Sequence, residues 1–333
     1  LWIEELGMHT VKNPKSKQTR KSISALILLL QLFLGLAHAQ DREKIRVALS
    51  TVSFTFLVNL IAKDAGIFRK HGLDVESILV SGPAQVAALA AGEIDYNSSF
   101  IPGLLLAAKG LPATIVMATT KTPLFYIVSQ PDITKIDVLA GKKVAVSRIG
   151  SQSHNLTRSM LKQGGINPDA VTYIQTGSAA NAFSALNAKA VDAAALSIPF
   201  NILMKQKAFN QLASTQSIGV YPNTGLQVLK TKVEKNRGQV KAMIRAFLDS
   251  LRYIANEKGK VSDFIQRTWK LSPDVVEQTY KEFLPSLPMD GKIGVEAVQE
   301  YLDSAYRSRE IPQRVNVNAL VDYSILEEVL KER

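Results

Sequence analysis

From residue 45 to residue 99 the apolar and polar positions fall into blocks that give the order strand, polar turn, helix, glycine twice in succession. The run 45–49 (IRVAL) is short, apolar and β-branched, and Ser50, Thr51, Val52 and Ser53 follow it as a polar turn. Leu57, Ile61, Ala65 and Phe68 recur at the spacing of one helical face, leaving Lys63, Asp64, Arg69 and Lys70 for solvent. Gly66 and Gly72 are two stops for that helix. The run 73–80 predicts a second strand, and Ser81-Gly82-Pro83 opens a second helix with proline at its first position and Gly92 past its last. Residues 94–97 predict a third strand. Strands and helices alternating at this spacing imply parallel βαβ units, whose ligands sit beyond the carboxyl ends of the strands. Those ends carry Ser53, Ser81, Gly82, Asn97, Ser98 and Ser99.

The pattern has an echo. A strand at 143–147, a polar turn at 148–153, a helix to Gln163, the stop Gly164-Gly165 and a strand at 171–175 repeat the first unit. Thr176-Gly177-Ser178-Ala179, ending in Val191-Asp192, matches Ser81-Gly82-Pro83-Ala84, ending in Ile94-Asp95. Two similar α/β lobes follow from this. The second is inserted into the first if the chain crosses over twice, through an apolar strand at 124–130 and back through 218–221 and 226–229. Beyond Lys232 the period is helical. Val240, Ile244, Phe247, Leu251 and Ile254 mark one helix, Ser272-Pro273 caps another, and Val295, Val298 and Leu302, then Leu320, Leu326 and Val329, mark two more.

Lys15, Lys17, Arg20 and Lys21 precede an apolar run at 23–37, and Ala37-His38-Ala39 offers small residues where a signal peptidase reads. Residues 1–39 are expected to be a cleaved secretory signal, with Met8 as a candidate true start. The run is shorter than the roughly 20 apolar residues that span a bilayer. Removing it leaves 35 basic against 27 acidic residues, a net +8. The lysines and arginines are scattered without a dense stripe or interleaved aromatics, so no nucleic-acid partner is expected. The chain has no cysteine, which excludes disulfides, a thiol nucleophile and cysteine-ligated metal.

In this order, IAKDAGIFRKHGLDV, SGPAQVAALAAGEIDY, LAGKKVAVSRIGSQSHN and VDAAALSIPF make the chain, from Ile45 to about Leu330, resemble the substrate-binding proteins of ABC importers in the nitrate, sulfonate, taurine and thiamine-pyrimidine group. The resemblance implies an α/β, two-lobed periplasmic binding protein of type II, each lobe a mostly parallel sheet flanked by helices, with two hinge crossovers. It implies lobe boundaries of 42–128 plus 220–333 and of 129–219. It also implies capture of a small molecule, anionic or a polar heterocycle, for delivery to an ABC permease and its ATPase, by a monomer, in the periplasm.

Helices starting after Gly82, Gly150 and Gly177 would aim free amides into the gap between lobes, which suits carboxylate, sulfonate or phosphate. Ser53, Gln85, Ser98, Ser151 and Ser178 stand at the same ends, either as ligand contacts or as ordinary caps. Arg148 follows a strand of the second lobe, where its guanidinium would grip an anion or pair with a local carboxylate. Phe54 would form an apolar wall or pack in the core, and Tyr221 would touch ligand or serve the hinge; the resemblance places both near the cleft. His71 and His154 fall in different lobes, so no metal site is expected, and no cofactor. Gly-x-Ser-x-Gly, Gly-x-Gly-x-x-Gly and Walker-type loops are absent. Asp95 and Asp192 hold matching positions and are expected to cap turns rather than act as an acid pair. Enzymes on this fold, resembling pyrimidine synthases or desulfinases, depend on cysteines that this chain lacks; a ligand-sensing module is the other alternative.

Overall fold

Strand β1 (Lys44–Leu49) opens the part of the chain that the computed structural model describes, residues 44–333 apart from Thr51, Ser81, Gly219 and Val220. The signal expected at 1–39 lies outside the described residues. After β1 a 3-10 turn (Phe54–Phe56) leads into α1 (Leu57–Asp64) and then α2 (Ile67–Lys70). The helix expected to continue to Phe68 is in two pieces, because Gly66 takes a left-handed φ of 68° that ends the first. Leu57, Ile61 and Phe68 are buried as expected.

Next come β2 (Asp74–Leu79), α3 (Gly82–Ala90) and β3 (Tyr96–Ser99). Gly82, not Pro83, is the first helical residue. The third strand begins two residues later than expected, because Asp95 is engaged with the head of β1. Its carboxylate accepts the Arg46 N–H at 2.8 Å and its own N–H donates to the Arg46 carbonyl at 2.9 Å. The chain continues through α4 (Phe100–Ala108) and β4 (Ala113–Thr120), two elements the periodicity did not predict. All eight residues of β4 are buried, so the strand has no polar face to alternate with.

The chain then crosses to a second sheet. It contains β5 (Phe125–Ser129), β6 (Lys143–Val146), α5 (Gln152–Gln163), β7 (Thr172–Gln175), α6 (Ala179–Asn187), β8 (Ala193–Ser197), α7 (Phe200–Lys205) and β9 (Asn210–Ser214). The return was expected to include a strand at 218–221. Instead Thr215–Ile218 is a 3-10 turn, Gly219 and Val220 lie outside the described residues, and the returning strand is β10 (Thr224–Leu229) alone.

The sheets run β2-β1-β3-β10-β4 and β7-β6-β8-β5-β9. In each, the first three strands are mutually parallel and the fourth is antiparallel to both neighbours. Four strands of five therefore point the same way, which is the expected two-lobed α/β arrangement. Each crossover delivers the antiparallel strand of the sheet it enters. The echo extends to single bonds: Asp192 accepts the Lys143 N–H at 2.8 Å, across the same 49-residue separation as Asp95 and Arg46.

Helices complete the chain: α8 (Lys230–Lys235), α9 (Arg237–Asn256), α10 (Lys258–Trp269), α11 (Pro273–Phe283), α12 (Val295–Arg307) and α13 (Ser324–Lys331). In α9 the stripe Val240, Ile244, Phe247, Leu251 and Ile254 is buried, as its spacing predicts. Leu320 does not share a helix with Leu326 and Val329; it closes the 3-10 turn Val317–Ala319, and Asp322 then accepts the Ser324 N–H at 2.9 Å where α13 begins. The main core includes residues of both sheets together with α9, α11 and α13. On α11, Glu282 accepts from the Tyr126 hydroxyl at 2.7 Å and the Asn201 amide at 3.3 Å, joining that helix to the second sheet. No described helix is long and apolar enough to cross a membrane.

Candidate functional site

The carboxyl ends of β1 and β3 gather buried polar side chains. The hydroxyls of Ser53 and Ser98 are buried with no partner among the described residues, and so is Oε1 of Gln85. Gln85 uses its Nε2 to donate to the Val80 carbonyl at 2.9 Å, which fixes the amide and leaves its oxygen free. A buried polar group without a partner costs about 1–3 kcal/mol, and of the seven such side-chain atoms among the described residues these three lie at the ends of β1 and β3 and in the first turn of α3 after β2.

Asn97 and Phe54 sit differently. The Asn97 amide is consumed internally: Nδ2 donates to the Gln227 side chain at 3.0 Å and the Ser99 carbonyl at 3.2 Å, while Oδ1 accepts the Ser99 N–H at 2.9 Å. Gly103 makes room for Gln227, since a Cβ there would stand 2.0 Å from its Oε1. The Phe54 ring is 2 % exposed and stacks on Trp269 with centroids 4.3 Å apart, so it belongs to the core beneath the turn.

Beside these ends lies a cluster that sequence reasoning missed. Thr119 and Thr120 close β4, and Asn223 and Thr224 follow the return crossover, so all four flank the crossovers. The Thr224 hydroxyl meets those of Thr119 at 2.8 Å and Thr120 at 2.5 Å, and Asn223 Nδ2 donates to Thr120 at 2.8 Å. The sequence signal was two threonines ending an apolar run and an Asn-Thr pair opening another. Across the gap, Gln152 in the first turn of α5 donates its Nε2 to Asn223 Oδ1 at 2.7 Å. One hydrogen-bond chain therefore joins the two sheets.

The second wall is the turn from Arg148 to Ser151. Gly150 has a left-handed φ of 77°, and side chains hold nearly every backbone group around it. The Ile149 N–H donates to Gln175 Oε1 at 3.0 Å, the Gly150 N–H to His154 Nδ1 at 3.1 Å, and the Ser151 hydroxyl to the Arg148 carbonyl at 2.7 Å. Ser151 also caps α5, accepting the His154 N–H at 3.5 Å, and shares its hydroxyl with Ser147 and Ser153. Arg148 is exposed, and no carboxylate among the described residues pairs with its guanidinium. The alternative of a local ion pair is therefore not realised. Burial holds the His154 imidazole below its usual pKa; the Asn155 side chain opposes that shift and the Arg158 charge adds to it.

Gly177 takes a φ of 84° and donates its N–H to the Ser147 carbonyl at 2.8 Å, which docks the third turn on the second. Ser178 caps α6 by accepting the Asn181 N–H at 3.1 Å. Tyr221 lies in the return crossover, donates its N–H to the Lys121 carbonyl at 3.2 Å and packs edge-on against Tyr301 at 5.4 Å. Burial pushes its phenol up to about 12, despite the hydrogen bond with Tyr301. Its backbone thus ties the two crossovers together while its ring packs against α12. His71 bonds Asp249 at 2.7 Å, and no metal-holding cluster occurs among the described residues.

Cavities elsewhere are less suited. One of about 660 Å³ lies between α7 and α11, lined by Ile202, Lys205, Gln278, Lys281 and Glu282 among others, and one of about 370 Å³ beside Lys109 and Lys230. Both are lined largely by exposed side chains.

A family model described as NMT1/THI5 like matches residues 53–259, more than half of the chain. The chain belongs to the NMT1/THI5-like family. A Brucella abortus protein assigned as a binding protein is 30% identical over 181 residues, which are 54% of this chain; the match spans 56%, about half, of that relative's length. A Bacillus subtilis protein assigned as an aliphatic sulfonates-binding protein is 24% identical over 94% of this chain and 98% of its own. The alkanesulfonate-binding protein SsuA of Xanthomonas axonopodis pv. citri, solved bound to MOPS, matches with a TM-score of 0.70 at 22% identity, over 84% of this chain and 98% of that one. That likeness shows the fold. It is the fold of periplasmic binding proteins, with which this NMT1/THI5-like chain shares its paired mixed sheets.

Proposed function

We propose that this NMT1/THI5-like protein is a periplasmic solute-binding protein, exported by a signal at 1–39. It captures a small anionic or polar heterocyclic molecule between lobes 42–128 plus 220–333 and 129–219, and delivers it unchanged to an ABC permease and its ATPase. The observation that carries this reading is the set of buried, unpartnered groups of Ser53, Ser98 and Gln85, together with a turn whose Arg148 has no ionic partner among the described residues. A ligand that accepted from the hydroxyls, donated to Gln85 and met the guanidinium would satisfy all four. The first turns of α3, α5 and α6 add backbone amides at the same ends, whereas the Gly150 and Gly177 N–H groups are already taken by His154 and the Ser147 carbonyl.

The test is a thermal-shift panel of alkanesulfonates, nitrate, aromatic carboxylates and pyrimidines on residues 40–333, with mass spectrometry of protein purified without denaturation. A ligand at 100 times its Kd adds about 2.7 kcal/mol, readily seen as a raised Tm. If no compound raises Tm and no co-purified small molecule is found, the binding reading fails. Recovery of a chemically altered ligand would instead favour an enzyme on this fold.

A further inference from the structure

His154 is the one ionisable side chain among those that hold the Arg148 to Ser151 turn. The others are Gln175, Ser147, Ser151, Ser153 and Asn155. Its Nδ1 receives the Gly150 N–H at 3.1 Å, so Nδ1 is unprotonated and the neutral ring carries its proton on Nε2. The ring is 8 % exposed and stands edge-on to Tyr173, with centroids 4.5 Å apart and planes at 80°. A proton added to Nδ1 would face the Gly150 N–H, and two donors cannot share that bond.

We propose that His154 is a positioning residue that fixes the Arg148 turn through Gly150 when neutral and releases it when protonated, so that ligand capture weakens on acidification. This deepens the binding reading and rests on it for the part that concerns ligand. Burial sets the sign, against the Asn155 side chain, which favours the charged ring. Arg158, one turn along α5, disfavours a second positive charge, and its own charge is shared with Asp169, 2.7 Å away on the neighbouring 3-10 turn. Tyr173 on β7 donates its hydroxyl to the Pro168 carbonyl. On β5 the phenol of Tyr126 is directed to Glu282, β8 carries no ionisable residue, and the turn Thr215–Ile218 has none. Burial lowers the His154 pKa from 6.5, so the ring is neutral at pH 7 and protonates only below that ordinary value.

The experiment is amide hydrogen exchange of residues 40–333 without ligand from pH 7 to pH 5, following the Gly150 N–H. The Asn181 N–H, held by a hydroxyl that does not titrate, is the internal control. Relative to Asn181, Gly150 protection is expected to fall by up to about tenfold per pH unit once His154 titrates. In His154→Asn, whose Oδ1 can accept in place of Nδ1, the fall should disappear. Parallel fall of both amides, or a Gly150 profile unchanged by H154N, overturns the proposal. Should H154N not fold, the wild-type comparison with Asn181 decides alone. A second arm reads the Tm shift caused by ethanesulfonate at pH 7 and pH 5. No shift at either pH, with Gly150 behaving as expected, counts against the binding reading and leaves the positioning role standing.

Discussion

Gln152 on α5 donates to Asn223 at 2.7 Å, and Asn223 passes the chain on to Thr120 at 2.8 Å, so a side chain of the second sheet's first helix is bonded to the residue just before β10. Asn223 is 6 % exposed and makes its bonds through both ends of its amide. Asn223→Ala should therefore cost about 1–3 kcal/mol, because it removes the bond from Gln152 and leaves the Thr120 hydroxyl with Thr224 alone. Gln152→Ala removes one end only, and its main expected effect is a more expanded ligand-free particle by small-angle scattering. An N223A variant as stable as wild type in urea unfolding would deny the chain any structural weight.

Arg148→Ala is expected to lower affinity for an anionic ligand by well over tenfold while leaving unfolding free energy within about 0.5 kcal/mol, since its side chain is exposed and unpaired. Titration calorimetry with whichever sulfonate or carboxylate raises Tm reads this directly. Equal affinity in both proteins removes Arg148 from the site.

Phe54 follows the Ser53 turn and stacks on Trp269, the one tryptophan in residues 40–333. Ligand that closes on Ser53 should move the Trp269 emission, so fluorescence gives a binding curve without a label. Phe54→Ala should cost about 3–5 kcal/mol and abolish that response. A fluorescence change that survives F54A would come from another route.

At high pH the phenols matter. Burial pushes Tyr221 and Tyr323 up to about 12, and Tyr126 and Tyr301 higher still than their ordinary value of 10. Folded values above unfolded ones mean that this stability is whole below pH 10 and is lost as pH climbs from about 10 through 12. Unfolding by urea at stepped pH should show the decline, and Tyr221→Phe with Tyr323→Phe should make it shallower, leaving the part due to Tyr126 and Tyr301; a flat wild-type profile to pH 12 contradicts the burial.

Much of this was legible in the chain because period and punctuation agree where one face is buried. The stripe Val240 to Ile254 and the doubled strand-turn-helix order are examples. The pattern lost its grip where burial is two-sided: β4, apolar through Met117 and closed by threonines, has no period to read. Site residues divided similarly. Glycines and serines at helix starts announce themselves, and Ser53, Ser98, Arg148 and Ser151 lie at strand ends and turns. Thr119, Thr120, Asn223, Thr224 and Gln152 act through partners as much as 105 residues away, which no local pattern encodes. Phe54 and Asn97 were read by position, but whether a side chain turns toward a gap or a core depends on Trp269 and Gln227, far along the chain.

The strand exchange also sets an order of assembly. All five strands of the second sheet lie within residues 125–214, so it can form as soon as that stretch exists. Among the described residues, strand β4 has no strand partner but β10, with one further bridge from Ile115 to Val321, so it must wait for residues far downstream. In pulse-labelled refolding, amides of β5 to β9 should gain protection before those of β4, and a nascent chain cut short near residue 215 should hold one finished sheet and one open sheet edge.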